Sequence, residues 1–260
     1  MASVDPADPS SSPGSASSRG PTVEDVLSSD HVWYHTIDLG GGLVTPGRVD
    51  LRPYVVHARF PDDLTGCRAL DVGTFDGFWA FELERRGAAV VAIDTETIPW
   101  PDTPAKHAPS ITPSVAGAGF RLLHRYFDSS VDYRLVRTAE LTLDAIGELV
   151  DLAFVGAILL HLQNPLAALE RVRSVLAPGG QIVVMEPVDG PLTEAYPNEP
   201  VARWLAEAVK ISMWYPNAVC LQQWIDTAGF VDIEMGDQIW YTDTSGVRQL
   251  TQTVFGRNPS

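Results

Sequence analysis

The chain has 260 residues, 45% of them hydrophobic, and a formal net charge of −15 at neutral pH. This suits one domain with a sizeable core plus appendages, and the acid excess argues against a nucleic-acid partner, whose phosphates reward basic patches. Cys67 and Cys220 are the only cysteines, in no metal-ligand spacing and too few for a disulfide framework. With no signal-peptide pattern and no apolar run of about 18 residues, the expectation is a cytoplasmic protein that neither spans a membrane nor holds a metal.

Residues 1–22, rich in Ser, Pro, Ala and Gly without an apolar period, are expected to be a disordered tail. TVEDVL then reads as a helix capped by Thr22, opening a helical and lid-like extension over residues 23–64. Residues 32–57 fit neither a helical nor a strand period. In them Trp33, Tyr34, His35 and Asp38 cluster ahead of Gly40, Gly41 and Gly42. Aromatic and hydrogen-bonding side chains on a glycine-hinged segment suit a lid; the alternative is that they only pack the extension onto the core. His57 reads as a surface residue.

ALDVGTFDGFWAFELERRGAAVVAID, residues 69–94, reads as strand, glycine turn, helix and second strand. Asp71 lies in the first apolar run, Gly73 and Gly77 bracket a turn that a ligand must approach closely, and Asp76 is placed to cap the helix. Phe78, Trp79, Phe81 and Leu83 give the helix its apolar face, and Gly87 ends it. A right-handed crossover sets the turn and Asp94 on one edge of the sheet, where an acid can bind ribose hydroxyls. The spacing departs from the G-x-G-x-x-G of dinucleotide folds. Asp71 and Asp76 would repel a pyrophosphate but suit a ligand carrying an ammonium and a sulfonium. A dinucleotide, such a cationic nucleoside and a ligand-free unit remain the readings of these residues.

Prolines break any helix in IPWPDTPAKHAPSITPS, and residues 115–128 fit a helix beside the pocket, with His107 and His124 at the surface. DYRLV is the third strand, followed by Thr138, Ala139 and Glu140. The apolar run 150–160 is the central fourth strand and ends at His161. PLAALERVRSVLAPGG is a helix stopped by Pro178, Gly179 and Gly180. QIVVMEPV is the fifth strand and carries Glu186. Residues 191–218 form a cap insertion with a helix over VARWLAEAVK and the pair Trp214 and Tyr215. After the helix LQQWIDTAGF come antiparallel strands 231–242 and 247–256. The expected fold is α/β: a Rossmann-like, seven-stranded, mostly parallel sheet with a terminal antiparallel hairpin, spanning residues 65–260.

The run Asp71-x-Gly73-x-x-x-Gly77 resembles motif I of class I S-adenosylmethionine-dependent methyltransferases. The stretches 150–188 and 213–235 are similar to the methyltransferase family that includes the tRNA wobble-uridine carboxymethyltransferase. The resemblance covers residues 65–257 in patches. It implies S-adenosyl-L-methionine as cofactor, with Asp71 and Gly73 facing its methionine part and Thr74, Phe75 and Gly77 in the loop around it. It also implies Asp94 on the ribose, Ala139 and Glu140 at the adenine, and Gly156 and Ala157 lining the methionine end. The expected activity is methylation of a small-molecule acceptor in secondary metabolism. The alternatives are a tRNA-modifying enzyme and a non-catalytic nucleotide-binding module. His161, His35 and Glu186 are candidate bases, and Trp33, Tyr34, Trp214 and Tyr215 candidate acceptor-pocket walls. The carboxylate-holding tyrosine and arginine of the tRNA enzyme align with Leu160 and near Thr251, so the expected donor is the ordinary one. The acceptor atom and the oligomeric state stay open.

Overall fold

The computed structural model describes residues 20–98, 114–115, 117–205 and 212–260. In chain order the elements are α1 (Val23–Leu27), β1 (Asp38–Gly40), β2 (Leu43–Val44), a 3-10 helix (Arg52–Ala58), β3 (Arg68–Val72), α2 (Phe78–Arg85), β4 (Ala89–Asp94), β5 (Thr97–Ile98) and β6 (Ser114–Val115). There follow α3 (Ala118–Tyr126), β7 (Asp132–Leu135), α4 (Leu143–Ile146), β8 (Val150–Gly156), α5 (Pro165–Ser174), β9 (Leu176–Val188), α6 (Gly190–Ala195), β10 (Ala202–Trp204), β11 (Trp214–Pro216), α7 (Ala218–Thr227), β12 (Val231–Thr242) and β13 (Arg248–Arg257).

Seven strands form the main sheet in the order β12-β13-β9-β8-β3-β4-β7. The pairs β3–β4, β3–β8, β4–β7 and β8–β9 are parallel, and β13 runs antiparallel to both β9 and β12. This is the expected mostly parallel sheet with its terminal hairpin. Side chains alternate between two cores, as the period-2 pleat requires. Leu70, Val72, Val91, Ile93, Ala153, Val155, Ile182 and Val184 face α5 and α7. Ala69, Val90, Ala92, Leu152, Phe154, Val183 and Met185 face α2, α3 and the N-terminal extension. By this alternation Asp71 falls on the second face, the one the extension covers. Chain order reverses between β3 and β8, and such a switch point opens a crevice at the carboxyl ends of the strands.

Several expectations need correction. The run 150–160 is not all strand: β8 stops at Gly156, Ala157 turns at φ +48°, and Leu159–His161 is a 3-10 turn. The proline and glycines at 178–180 do not stop a helix. α5 ends at Ser174, and these residues lie inside β9, whose pairing with β8 is irregular between Val150 and Leu152. The expected helix over 201–210 is absent at its start, because Ala202–Trp204 pairs with Trp214–Pro216 as a hairpin. Residues 206–211 and His107 lie outside the described residues, as does the expected tail but for Gly20–Thr22. Gly40, Gly41 and Gly42 form the tight turn of the β1–β2 hairpin, at φ +85°, +60° and +80°. Thr22 does cap α1, in a reciprocal box with Asp25. Among the described residues no helix is long and apolar enough to cross a membrane.

Gly77 also makes room for aromatic packing. It is the N-cap of α2 at φ +91°, and a Cβ there would lie 2.4 Å from Phe81 Cε2 and 2.7 Å from Phe120 Cδ2. Its missing side chain admits the stacked Phe81 and Phe120 rings, 5.1 Å apart. Gly77→Ala should therefore destabilise the fold by about 2 kcal/mol or more, from left-handed strain plus overpacking. Chemical denaturation checks this, and an unchanged midpoint would contradict it.

Candidate active site

The crevice floor begins where β3 ends. Gly73 and Thr74 both donate backbone N–H groups to Ile93 O, at 2.9 and 3.1 Å, folding the turn back over β4. A Cβ on Gly73 would sit 2.9 Å from Ile158 Cδ1, so glycine keeps the turn and the β8 loop apart. Phe75, at φ +49°, donates its N–H to Asp94 Oδ2 at 3.0 Å. With Ala157, the crevice thus has a non-glycine residue in the left-handed region on each side, strain of a kind that clusters at functional sites.

Two acids line this floor. Asp71 is 2% exposed, and its Oδ2 has no hydrogen-bond partner among the described residues. Burial pushes its carboxyl up to about 7. Asp94 is buried at the strand tip, and burial pushes it up to about 6. Asp94 also has protein partners: its oxygens accept from Phe75 N and, at 2.7 Å, from Thr95 N. Each carboxylate oxygen still keeps a second lone-pair direction.

Asp76 does not cap α2, since Gly77 holds that position without a side-chain bond. Its buried carboxylate reaches the other way. It accepts from Tyr34 N at 2.7 Å and His35 N at 3.1 Å, and lies 2.9 Å from His31 Nε2. At the far end of the same segment, Arg48 Nε donates to Asp243 at 2.7 Å, and Thr244 N donates to Arg48 O at 2.9 Å. Residues 31–51 are thus a strap fastened at both ends by a carboxylate.

The crevice has two narrow lobes, both touching Gly73, the first of them under the strap. The first encloses about 40 Å³ and is lined by Tyr34, His35, Leu51, Tyr54, Asp71, Gly73, Thr74, Trp79, Gly156, Ala157, Met185, Ile239, Tyr241 and Thr251. The second encloses about 30 Å³ between Gly73, Ile93, Asp94, Thr95, Val136, Arg137, Thr138, Ile158, His161 and Leu162. A larger cavity, about 830 Å³, lies between the 3-10 helix and α2. The two small lobes, and not this cavity, contain the buried acids Asp71 and Asp94 at the topological switch point.

The structure brings together Tyr34, His35, Asp71, Gly73, Thr74, Gly156 and Ala157 in one lobe and Gly73, Asp94 and His161 in the other. Phe75 joins Asp94 through its backbone, and the other candidates lie apart. Trp33 packs in the core and lines neither lobe. Ala139 and Glu140 occupy a 3-10 turn beyond the second lobe, with Glu140 paired to Arg137 at 3.2 Å. Trp214 and Tyr215 lie on β11, where Trp214 Nε1 donates to Gln163 O at 3.3 Å. Glu186, fully buried, lies behind the loop after β8 and accepts from Leu160 N at 2.8 Å and Ile158 N at 3.1 Å. Burial pushes its carboxyl up to about 8. His35 is the buried histidine of the first lobe. Desolvation lowers it to about 4 against the opposing charge of Asp76, so its ring is neutral at pH 7. Sequence reasoning missed Tyr54, Ile239 and Tyr241. The i, i+2 spacing of Ile239 and Tyr241 on β12 is the signal that marks them as one inward face.

The sequence profile of a family described as "Methyltransferase domain" matches residues 50–235. Over 51 residues the chain is 53% identical to magnesium-protoporphyrin O-methyltransferase of Rhodobacter capsulatus, 20% of this chain and 22% of that one. Over 94 residues it is 33% identical to tRNA U34 carboxymethyltransferase of Syntrophotalea carbinolica, 35% of this chain and 28% of that one. It thus spans about a quarter of the length of these curated relatives. Among solved structures, the N-terminal domain of EvdMO1, determined in the presence of S-adenosylhomocysteine and D-fucose, has a TM-score of 0.58 at 15% identity, covering 87% of this chain and 91% of that one. The 1,6-didemethyltoxoflavin-N1-methyltransferase of Burkholderia thailandensis, solved with 1,6-didemethyltoxoflavin and S-adenosylhomocysteine, has a TM-score of 0.52 at 16% identity, covering 81% and 78%. A switch-point crevice with a glycine turn and buried acids, on a fold shared with these enzymes and a sequence matched by that profile, belongs to the class I S-adenosylmethionine-dependent methyltransferase family, and the chain is a member of it.

Proposed function

We propose that this enzyme methylates a small-molecule acceptor held in the lobe beneath Tyr34 and His35. The observation that carries this reading is the roof: Tyr34 and His35 of the strap cover the lobe that Asp71, Gly73 and Thr74 line, and a covered crevice suits a small acceptor better than a polynucleotide. The net charge of −15 also disfavours a polynucleotide. The toxoflavin enzyme that shares the fold was solved with its 1,6-didemethyltoxoflavin bound. We assign the present chain an acceptor of comparable scale, in secondary metabolism.

The residues fit the donor. The unpartnered Asp71 oxygen suits its ammonium, the bare face of Gly73 and the Thr74–Phe75 turn its methionine part, and Asp94 its ribose hydroxyls. Gly156 and Ala157 line the same lobe with backbone. When bound, S-adenosylmethionine supplies an electrophilic methyl group. The protein's part is alignment, worth about 7–11 kcal/mol in well-oriented systems. Of the candidate bases, His35 faces the acceptor lobe with a neutral ring. Asp76 Oδ2, 4.0 Å from His35 Nδ1, stabilises the charge that the ring gains on taking a proton. His161 faces the other lobe, and Glu186 acts through the loop that it holds. A positioned base contributes about 10²–10⁴-fold.

The direct test is methyl transfer. Incubation with S-adenosylmethionine and a small-molecule extract should give a product heavier by one methylene, with total tRNA unmodified. Methylated tRNA, with salt-sensitive binding, would overturn the reading.

Asp94→Ala should weaken donor binding by about 1–3 kcal/mol, the range for a lost charged hydrogen-bond partner. Ribose hydroxyls donate to the ionised carboxyl, so wild-type affinity should hold above the Asp94 value of about 6 and decline as pH falls through it. Calorimetry from pH 5 to 8 reads both, and equal affinity in the folded variant refutes the assignment. A donor carboxylated beside the sulfonium should bind more weakly in the same assay. Leu160 is apolar, Thr251 lines the lobe without a charge, Arg248 stacks on Trp240 at 4.2 Å, and Arg257 donates to Gly179 O at 3.1 Å.

A further inference from the structure

One buried carboxylate stands between two histidines. Asp76 Oδ1 lies 2.9 Å from His31 Nε2, and Asp76 Oδ2 lies 4.0 Å from His35 Nδ1. Asp76 and His35 are buried, whereas His31 keeps 20% of its side chain in solvent. Oδ2 already accepts the Tyr34 and His35 amides, so His31 is the side chain that occupies Oδ1. The fold leaves room for that contact. A Cβ on Gly119 of α3 would sit 2.3 Å from His31 Nε2 and 2.7 Å from Asp76 Oδ1, so α3 is bare where the two meet. The Trp33 ring packs edge-on against His31, with centroids 4.6 Å apart.

The two nitrogens of His35 have different surroundings. Nδ1 is buried on the Asp76 side, without a hydrogen-bond partner among the described residues. Among those residues Asp76 is the one carboxylate within 4.0 Å of the ring. That leaves Nε2 to meet the lobe that His35 lines. A neutral imidazole has one N–H and one bare lone pair. An N–H aimed at a carboxylate is attracted and a lone pair is repelled, more strongly in a low-dielectric interior. The single proton therefore belongs on Nδ1.

We infer that His31 is a positioning residue for His35. By bonding Oδ1 it fixes the Asp76 carboxylate, which holds the His35 proton on Nδ1 and turns the Nε2 lone pair toward the acceptor. The proton that the acceptor gives up moves to Nε2. The acceptor keeps the electron pair for the methyl group, while the carbon–sulfur pair stays on sulfur. The resulting ring cation points Nδ1–H at Asp76. This rests on the reading of His35 as the base of the first lobe, and adds the atom that takes the proton and the residue that orients it.

Nitrogen-15 NMR of the full chain with labelled histidine at pH 7 reads the His35 tautomer and needs no acceptor. In the unaltered chain the Nδ1–H form should exceed the Nε2–H form by about tenfold or more, a ratio that about 1.4 kcal/mol sustains. His31→Gln keeps an N–H donor for Oδ1 and should preserve the ratio. His31→Ala should lower it by about threefold or more, the scale of one modest hydrogen bond. Gly119→Ala presses on the same contact and should act in the same direction, and it carries the comparison if His31→Ala does not fold. An Nε2–H majority in the unaltered chain would overturn the inference. So would a ratio unchanged in His31→Ala and Gly119→Ala, since His31 would then only pin the strap, or a loss in His31→Gln as large as in His31→Ala. Failure of the underlying reading looks different: His35→Ala would keep full methyl transfer while the tautomer result stood.

Discussion

The site depends on one buried carboxylate. Asp76 is 1% exposed and sits one residue before the left-handed Gly77. It satisfies two backbone N–H groups of a segment more than forty residues upstream, and it meets His31 as well. Buried amides without partners are costly, so the strap and the glycine turn fix one another's position. Tyr34 and His35 become the roof of the first lobe because their own amides are tied to the loop that forms its floor. Asp76 is thus absorbed by protein contacts, which leaves Asp71 and Asp94 as the acids facing the crevice.

Those acids carry an electrostatic tension. Asp71, Asp94 and Glu186 all have carboxyls raised by burial, to about 7, 6 and 8. Each binds a proton more tightly in the folded chain than in the unfolded one. Their contribution to stability is therefore fullest below the unfolded carboxylate range and is lost as pH rises through about 6 to 8. A cationic ligand beside Asp71 and hydroxyl donors at Asp94 favour the ionised forms and offset that loss. Glu186 differs, since two loop amides already favour its anion. Its function is to hold the loop that brings Ile158 and His161 to the second lobe.

Much of the fold was legible in the sequence. Buried parallel strands are continuous apolar runs, and the Asp71–Gly73 turn with Asp94 at the next strand tip is a local pattern. The misreadings came where long-range pairing decided the conformation. Pro178, Gly179 and Gly180 carry turn chemistry, yet Leu176 pairs with Val150 and Gly179 N donates to Asn258 O, which draws the segment into β9. Residues 202–204 stand in a stretch whose sequence reads as a helix but find strand partners at 214–216. The first lobe was the least legible part. Its walls come from the strap, the 3-10 helix and the last two strands, nearly two hundred residues apart in the chain. Tyr34 and His35 stood out as an aromatic cluster, whereas nothing local in the sequence marks Tyr54 or Tyr241. The role of Asp76 was hidden because a carboxylate just before a helix has a simpler local use as a cap.

The central claim is that Asp76 builds the roof over the first lobe. Hydrogen exchange at the Tyr34 and His35 amides of Asp76→Ala, compared with the unaltered chain, tests it most directly. Both amides should lose protection by an order of magnitude or more, while the amides of β3 and β4 keep theirs. Full protection at Tyr34 and His35 in a folded Asp76→Ala variant would show that the strap is held by something else.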